Sequence, residues 1–401
     1  MEPVAHPAGL ERYRALMQTP YARRLFAFSL LARLPIGMTP LALILLVRES
    51  GGGYGAAGAV SAAYFVAAAI AAPISGRLVD KRGTTAVLLP RAILSPGLLL
   101  GVWALASADA PLPVVAACAA AAGAFLPPIS AALRSLWPRL LEGPELRSSA
   151  YALEASLQEV FFVVGPLLVA LLAAALEPGV ALAVGALAGA TGTLGFALTG
   201  PVRAYRPEET RDARGFLGAL ESRGVRTIVF YSGCCGLAFG GVEVAIPAFA
   251  ETHGGVELGG IPLALFAAGS LVGGLVSGAT SSGHPLRLLR LAAVFLALAL
   301  VPPLLAGSLP VLSVLVFVAG LPIAPGFAAS YSLVDAAARR GTAAEAFAWI
   351  GTAVSTGIAG GTALGGLLVD AVSVRAAFAL GLCGAALALI LAAAGRGLEQ
   401  G

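Results

Sequence analysis

Charged residues are scarce in this chain, and their scarcity narrows the class of protein it can be. Only 11% of its 401 residues are Asp, Glu, Lys or Arg, against about 25% in soluble domains. Hydrophobic residues make up 58%, where about 45–50% is usual, and the mean hydropathy is +0.90. A chain with so few polar groups cannot cover its surface in water. The composition therefore excludes a soluble enzyme and predicts a protein with many membrane spans.

Residues that bind metals or form disulfides are also few. The three histidines lie in loops or in the N-terminal tail, and no cluster of aspartates exists to hold a metal-diphosphate. The cysteines all fall inside apolar runs without metal-ligand spacing: Cys118, Cys234, Cys235 and Cys383. We therefore expect no metal site, no cofactor and no disulfide framework. The absence of a GKS or GKT string also excludes an ATP-binding phosphate loop within this chain.

Twelve apolar stretches approach or exceed the roughly 20 residues that a membrane-spanning helix needs. They are 24–47, 54–76, 86–107, 113–134, 149–175, 179–200, 225–249, 259–280, 287–306, 309–332, 344–369 and 373–395. The polar, mixed-charge segment 201–224 divides them into two sets of six. The predicted domains are an N-terminal segment (1–23), a six-helix bundle (24–200), a linker (201–224), a second six-helix bundle (225–395) and a tail (396–401).

The distribution of basic residues predicts how the chain crosses the membrane. With the N-terminus inside, the cytoplasmic segments hold 21 of the 25 Lys and Arg, and the outer loops hold two. We therefore expect an all-α membrane protein with both termini cytoplasmic, in the inner membrane of a bacterial cell. The polar first 20 residues lack the apolar core of a signal peptide, so none is expected. The net charge of +4 reflects this loop bias, and we expect no nucleic-acid partner.

The two halves also show weak internal similarity. The end of the fourth span, FLPPISAALRSL (125–136), aligns with IAPGFAASYSL (323–333), which places Pro128 opposite Pro325. A second match, AYALEAS (150–156) with AFAWIGT (346–352), has nearly the same offset. Because the matches fall in equivalent helices, they favour a duplicated unit.

The loop between the second and third spans reads GRLVDKRG, residues 76–83. At this position the string resembles the signature loop of the major facilitator superfamily. The resemblance implies two six-helix bundles, and a loop that holds the halves together on the cytoplasmic side. In physical terms, Asp80 is suited to face the positive N-terminal end of a helix, and Gly76 allows close helix packing. The predicted gate residues are Gly76, Arg77, Asp80, Lys81, Arg82, Gly83 and Arg134, the last as a partner for Asp80. A plain basic cytoplasmic loop is the alternative.

Two features of this loop depart from the family pattern. Thr84 and Thr85 follow the second glycine, where the family usually carries further basic residues. The corresponding loop of the second half, SGATSSGHP (277–285), lacks the acidic residue. We therefore expect an asymmetric gate that depends on the first half.

Arg33 lies near the bilayer centre in the first span, in the string RLPIGM (33–38). An ionisable residue at this depth is costly and suggests function by default, and the string is similar to that of bacterial efflux permeases. A cavity role and a purely structural ion pair both remain possible. We expect its partner to be Glu159 or Glu243. A second intramembrane arginine, Arg91, is expected to extend toward the cytoplasmic headgroups.

The fifth span carries the polar residues Glu154, Gln158 and Glu159. At about 100° per residue, Glu154 and Gln158 share one face, whereas Glu159 lies about 140° from Glu154. Further along, Gly165 and Pro166 resemble the end of the antiporter signature of drug exporters. Glu159 is the preferred candidate for carrying a proton. A neutral buried carboxyl group and an ion pair with Arg33 are the alternatives.

Arg33, Glu154, Gln158, Glu159 and Glu243 are therefore the predicted residues for substrate binding and proton coupling. Glu243 stands in the seventh span, the equivalent of the first, and an ordinary carboxylate near the outer water boundary is its alternative role. The favoured function is proton-driven export of small amphipathic or drug-like molecules by a secondary transporter, expected to be a monomer. An importer or a lipid-moving member of the same fold is the main alternative, and an intramembrane enzyme is a distant one.

Overall fold

The computed structural model of the protein describes residues 9–207, 218–253, 256–280 and 284–394. These residues form helices and no strands. A short helix, Leu10–Gln18, precedes twelve helices that are long and apolar enough to cross a membrane. The twelve predicted spans are therefore confirmed, and several helices extend past the apolar runs by one or two turns.

The spans are numbered here in chain order. The first six are α1 (Ala22–Glu49), α2 (Ala56–Arg82), α3 (Thr84–Ser107), α4 (Leu112–Leu140), α5 (Pro144–Ala175) and α6 (Pro178–Ala197). The second six are α7 (Arg223–Glu251), α8 (Gly260–Thr280), α9 (Pro285–Leu305), α10 (Leu309–Ala337), α11 (Ala343–Ala371) and α12 (Val374–Ala394). Because the number of spans is even, the start of α1 and the end of α12 lie on one face of the membrane, here called the terminal face.

The predicted linker is only partly described. A short helix, Gly200–Ala204, follows α6, and a 3-10 turn, Gly218–Glu221, precedes α7. Residues 208–217 lie outside the described residues. The predicted cytoplasmic tail, 396–401, lies outside them as well.

Two spans are interrupted at corresponding places in the two halves. Span α4 consists of Leu112–Ala124 and Ile129–Leu140, and α10 of Leu309–Gly320 and Ile323–Ala337. Prolines occupy both interruptions, and a proline has no backbone N–H to continue the helical hydrogen bonds. The shared interruption in the fourth helix of each half supports the duplication that the sequence predicts.

Arg91 stabilises the interruption in α4. Its Nη1 donates to the carbonyl oxygens of Ala124 at 3.1 Å and Leu126 at 3.3 Å. Carbonyl groups freed inside a membrane need such partners because no water is present to bind them. The expectation that Arg91 extends toward the headgroups was therefore wrong, since its guanidinium group bonds to the freed carbonyls inside the first half.

Helices α1 and α5 touch backbone to backbone. A Cβ atom placed on Gly37 would lie 2.0 Å from the carbonyl oxygen of Phe161, and one placed on Gly165 would lie 2.4 Å from the carbonyl carbon of Gly37. Small residues permit this close approach, as in other membrane helix pairs. The contact fixes which side of α5 faces α1 and so determines which carboxylate Arg33 can reach.

The halves meet mainly through α2 with α11, through α5 with α8 and α10, and through α4 with α11. Within the described residues, α1 and α7 have almost no contact with each other. The charged contacts between the halves, described below, lie near the terminal face. The protein is therefore closed at the terminal face.

We predict that Gly37→Ala lowers thermal stability. The added methyl group overlaps the α5 backbone, and overpacking of this kind costs about 1–3 kcal/mol. The measurement is thermal unfolding of the purified protein in detergent. The matched control is Gly97→Ala on α3, where a Cβ atom has open space around it. Equal melting temperatures for the two variants would contradict the close α1–α5 contact.

Candidate functional site

Two arginines and one glutamate from three helices of the first half form a buried charge cluster. It consists of Arg33 on α1, Arg134 on α4 and Glu154 on α5. Arg33 Nη1 lies 3.2 Å and Arg134 Nε 3.1 Å from the same atom, Glu154 Oε1. The three side chains are 2%, 5% and 0% exposed. Since one carboxylate faces two guanidinium groups, the charge cluster carries one net positive charge.

Arg33 is extensively hydrogen-bonded in this cluster. Its Nε donates to the Ser29 carbonyl at 3.2 Å, and its Nη2 donates to the Ser29 hydroxyl at 3.2 Å. Ser29 stands one helical turn before Arg33, so this pairing follows from helix geometry. Nη1 also contacts the Ser130 hydroxyl at 3.4 Å, and the guanidinium carbon lies 5.5 Å from the Phe161 ring centroid.

Arg134 makes fewer hydrogen bonds through its guanidinium group than Arg33 does among the described residues. Its guanidinium carbon lies 3.7 Å from the ring centroid of Tyr331 on α10, a cation–π contact between the two halves. Among the described residues, its Nη2 has no hydrogen-bond partner, and its Nε does not meet Glu154 at hydrogen-bond geometry. Oε2 of Glu154 also lacks a hydrogen-bond partner there. The cluster therefore holds donor capacity that its own residues do not use.

The prediction that Arg33 pairs with Glu159 or Glu243 was wrong, because its partner is Glu154. The close contact of α1 with α5 turns the Glu154 side of α5 toward α1. Glu159, about 140° further round the helix, then faces away from Arg33.

The expectation that Arg134 holds Asp80 was also wrong. Arg134 faces Glu154 within the first half and the Tyr331 ring of the second half. It belongs to the charge cluster, whereas Asp80 binds backbone groups of α11.

Glu159 lies where the two halves meet. Its Oε1 accepts a hydrogen bond of 2.9 Å from the hydroxyl group of Ser270 on α8. An ionised Glu159 is also within electrostatic range of Glu243 on α7. The Glu243 side chain is exposed, and Gln158 is half-buried. The predicted coupling residues thus separate into Arg33 and Glu154 within the first half, and Glu159 and Glu243 toward the second.

The loop between α2 and α3 brings Asp80 to the start of α11. The Asp80 carboxylate accepts hydrogen bonds from the backbone N–H groups of Ala344 at 3.1 Å and Glu345 at 2.9 Å. These N–H groups belong to the first turn of α11, where a helix has unpaired donors and a positive dipole end. The predicted placement of Asp80 at a positive helix end is confirmed, and the helix belongs to the other half.

A charged side-chain pair reinforces the same contact. Arg77 Nε donates to Glu345 Oε2 at 3.0 Å and Arg77 Nη2 to Glu345 Oε1 at 2.7 Å, a bidentate pairing. A Cβ atom on Gly76 would lie 2.6 Å from the Ala344 carbonyl oxygen. The absence of a side chain at Gly76 therefore lets α2 and α11 touch at the point where Asp80 and Arg77 bind.

The other residues of the predicted gate, Gly83, Lys81 and Arg82, do not take part in the contact with α11 described above. Gly83, with φ of 89°, forms the bend between α2 and α3 in a conformation that favours glycine. Lys81 and Arg82 are exposed at the terminal face. Their position suits contact with solvent or anionic headgroups.

A second ion pair joins the halves at the same face. Arg147 Nη1 on α5 lies 3.1 Å from Asp335 Oδ2 on α10. Nearby, the Ser149 hydroxyl donates to the Gly278 carbonyl on α8 at 2.6 Å. This side of the interface lacks a counterpart of Asp80 within the described residues, and 281–283 of the corresponding loop lie outside them. The predicted asymmetry of the gate stays a prediction.

Several residues in these contacts were not predicted from the sequence, among them Glu345, Asp335, Tyr331 and Ser270. Glu345 had a visible signal, since it is an acidic residue in the first turn of a predicted span. Asp335 gave a weaker sequence signal, because it is an acidic residue just beyond the end of an apolar run. Tyr331 and Ser270 had none, because an aromatic ring and a hydroxyl group inside a membrane helix are ordinary packing residues.

Twelve spans in two halves, joined at one face through charged side chains, define a multi-pass membrane protein built from two six-helix units. The sequence profile of the Major Facilitator Superfamily matches residues 25–343 and 228–399. Since these matches cover most of the chain, it belongs to that superfamily, and it is a secondary transporter rather than an enzyme. A comparison with curated protein sequences gives no match.

Solved structures share the fold at low identity. A bacterial homologue of the iron transporter ferroportin, in an outward-facing state, has a TM-score of 0.73 and 16% identity, over 92% of this chain and 98% of that chain. The human organic anion transporter MFSD10 has a TM-score of 0.71 and 17% identity, over 94% and 100%. The E. coli fucose transporter FucP, in its outward conformation, has a TM-score of 0.71 and 15% identity, over 93% and 98%.

We predict that Asp80→Asn leaves expression intact and strongly reduces transport. An amide loses the negative charge and one of the two acceptors for the α11 N–H groups. Interactions of carboxylates with helix N-termini are worth about 0.3–2 kcal/mol, enough to shift the population toward the state open at the terminal face. The measurement is transport together with accessibility of a cysteine placed between α2 and α11. Asp109→Asn, in an exposed loop, is the control, and unchanged transport in Asp80→Asn would exclude the gating role.

Proposed function

We propose that this transporter exports small amphipathic molecules in exchange for protons, by alternating access between residues 24–200 and 225–395. In this mechanism the two bundles rock about a site near the middle of the membrane. The excess of basic residues at the terminal face supports a cytoplasmic location for that face. The state with a closed terminal face would then be the outward-facing one.

The hydrogen bond between Glu159 and Ser270 carries the proposal. Glu159 lies on α5 of the first half and Ser270 on α8 of the second, near the middle of both spans. A carboxyl group at this interface changes its surroundings whenever the halves move. A change in surroundings alters the balance between its charged and neutral forms. This is the property that a proton carrier needs.

Glu243 supports the same role for Glu159. Glu159 and Glu243 lie within electrostatic range of each other, so a charge on one carboxyl group affects the other. Because Glu159 and Glu243 belong to different halves, a movement of the halves changes the distance between the two carboxyl groups. The pair is therefore suited to release a proton in one state and to bind one in the other.

Import and lipid movement are the competing functions within this fold. The direction of transport is measured in inverted and right-side-out vesicles under an imposed pH gradient. Accumulation in inverted vesicles with an acidic interior is the result that export by proton exchange requires. Uptake into right-side-out vesicles under the opposite gradient would favour an importer.

We predict that Glu159→Gln abolishes transport driven by a pH gradient and preserves substrate binding. Glutamine keeps the shape and accepts the Ser270 hydrogen bond, but it cannot carry a proton. The measurements are pH-driven transport in proteoliposomes and substrate-induced thermal stabilisation of the purified protein. Glu243→Gln is the matched comparison, and we expect a smaller loss. Normal pH-driven transport by Glu159→Gln would make Glu159 a structural residue only.

A further inference from the structure

We propose that the charge cluster is an anion-binding site, and that the transported molecules are small amphipathic oxyanions such as carboxylates or sulfonates. The observation is that this buried cluster contains two positive charges, on Arg33 and Arg134, and one negative charge, on Glu154. This inference rests on the proposed transport function and adds the chemical class of the substrate.

The charge balance favours an anion. Inside a protein or a membrane, a charge without a partner is costly, and buried charges are therefore normally paired. Glu154 pairs with both arginines through one oxygen atom, so one positive charge stays uncompensated. Besides Glu154, Arg33 interacts electrostatically with Arg134, which has the same charge, and with Tyr331, a neutral phenol. A ligand with one negative charge would complete the balance.

The geometry assigns the anion to Arg134 rather than to Arg33. The donors of Arg33 are engaged by Ser29, Ser130 and Glu154. Arg134 Nη2 has no hydrogen-bond partner among the described residues. Guanidinium groups bind carboxylates and sulfonates through two parallel N–H donors. The rings of Tyr331 and Phe161 flank the cluster and supply apolar contact for the body of an amphipathic ligand.

The site is covered in the present state and becomes accessible in the other. Tyr331 on α10 lies over the Arg134 guanidinium group, and Arg134 is only 5% exposed. Since α4 and α10 belong to different halves, opening the terminal face separates the ring from the guanidinium group. The anion then enters from the terminal face, which is the side from which an exporter binds its substrate.

The alternative is a purely structural cluster whose charges only hold α1, α4 and α5 together. Both the structural cluster and the anion-binding site predict a loss of transport when a charge is removed. They differ in the sign of the effect on anion affinity. A structural cluster gives losses for every substitution, whereas an anion site gives opposite shifts when a positive and a negative residue are neutralised.

The test measures binding of three compounds of similar size and different charge to the purified full-length protein by calorimetry. The probes are 4-phenylbutyrate, 4-phenylbutanamide and 4-phenylbutylammonium, at constant chloride concentration. We expect the anion to bind at least about tenfold more tightly than the amide, as charge-assisted hydrogen bonds to an arginine imply. Arg134→Gln should remove this preference, and Glu154→Gln should increase anion affinity.

Two further variants keep the test decisive. Arg134→Lys keeps the charge but loses the two parallel donors, so it should retain part of the preference that Arg134→Gln removes, even if Glu154→Gln proves unstable. Arg91→Gln removes an intramembrane arginine whose partners among the described residues are carbonyl groups and an aromatic ring outside the cluster, and should leave the preference unchanged. Equal binding of the three probes by the wild type, or equal losses in Arg134→Gln and Arg134→Lys, would overturn the inference.

The outcome also separates this inference from the proposed function. Gradient-driven transport of the amide or the ammonium compound, without preference for the anion, would retain the transporter and overturn the anion site. Preferential anion binding without transport under any imposed gradient would retain the site and overturn the proposed coupling.

Discussion

The need to neutralise arginine inside a membrane governs the first half of this protein. An isolated arginine at such depth is costly, with figures from about 2.5 to 17 kcal/mol. Arg33 and Arg134 therefore need a carboxylate, and Glu154 lies between them. That arrangement requires α1 and α5 to approach closely, which Gly37 and Gly165 permit. Helix packing and charge pairing thus depend on the same few residues.

The contacts between the halves follow a second constraint, which is reversibility. Asp80 and Arg77 bind the start of α11 through hydrogen bonds and one partly exposed ion pair. Contacts of this kind are individually modest because water can replace them when the face opens. Deeper in the membrane, where water cannot replace a lost partner, the halves share weaker contacts. These include hydroxyl hydrogen bonds from Ser270 to Glu159 and from Thr352 to the Ala69 carbonyl, and the cation–π contact of Arg134 with Tyr331. The buried ion pairs of Glu154 with Arg33 and Arg134 lie entirely within the first half.

The sequence was sufficient to predict the twelve spans and the position of Asp80, for identifiable reasons. Span length and hydropathy are set by bilayer thickness, and the loop 76–83 combines a carboxylate with a glycine that allows close packing. The partner of Arg33 was not predictable in the same way. Whether Glu154 or Glu159 faces α1 depends on the rotation of α5 about its own axis. That rotation is fixed by the Gly37–Gly165 contact, which is visible only once the helices are assembled.

Arg134 connects the charge cluster to the movement of the halves, because it binds Glu154 on one side and Tyr331 on the other. Opening the terminal face removes the aromatic ring and leaves a guanidinium group with unused donors facing the new cavity. In the proposed mechanism, an anion bound there would replace the lost contact and so favour the open state, since a ligand shifts an equilibrium only by its differential affinity for the two states. Closing the face again requires Tyr331 to return to the position that the ligand covers. In the proposed mechanism the anion therefore moves from Arg134 past the ring, deeper between the halves, as the terminal face closes, and Tyr331 limits how long the substrate stays at the cluster.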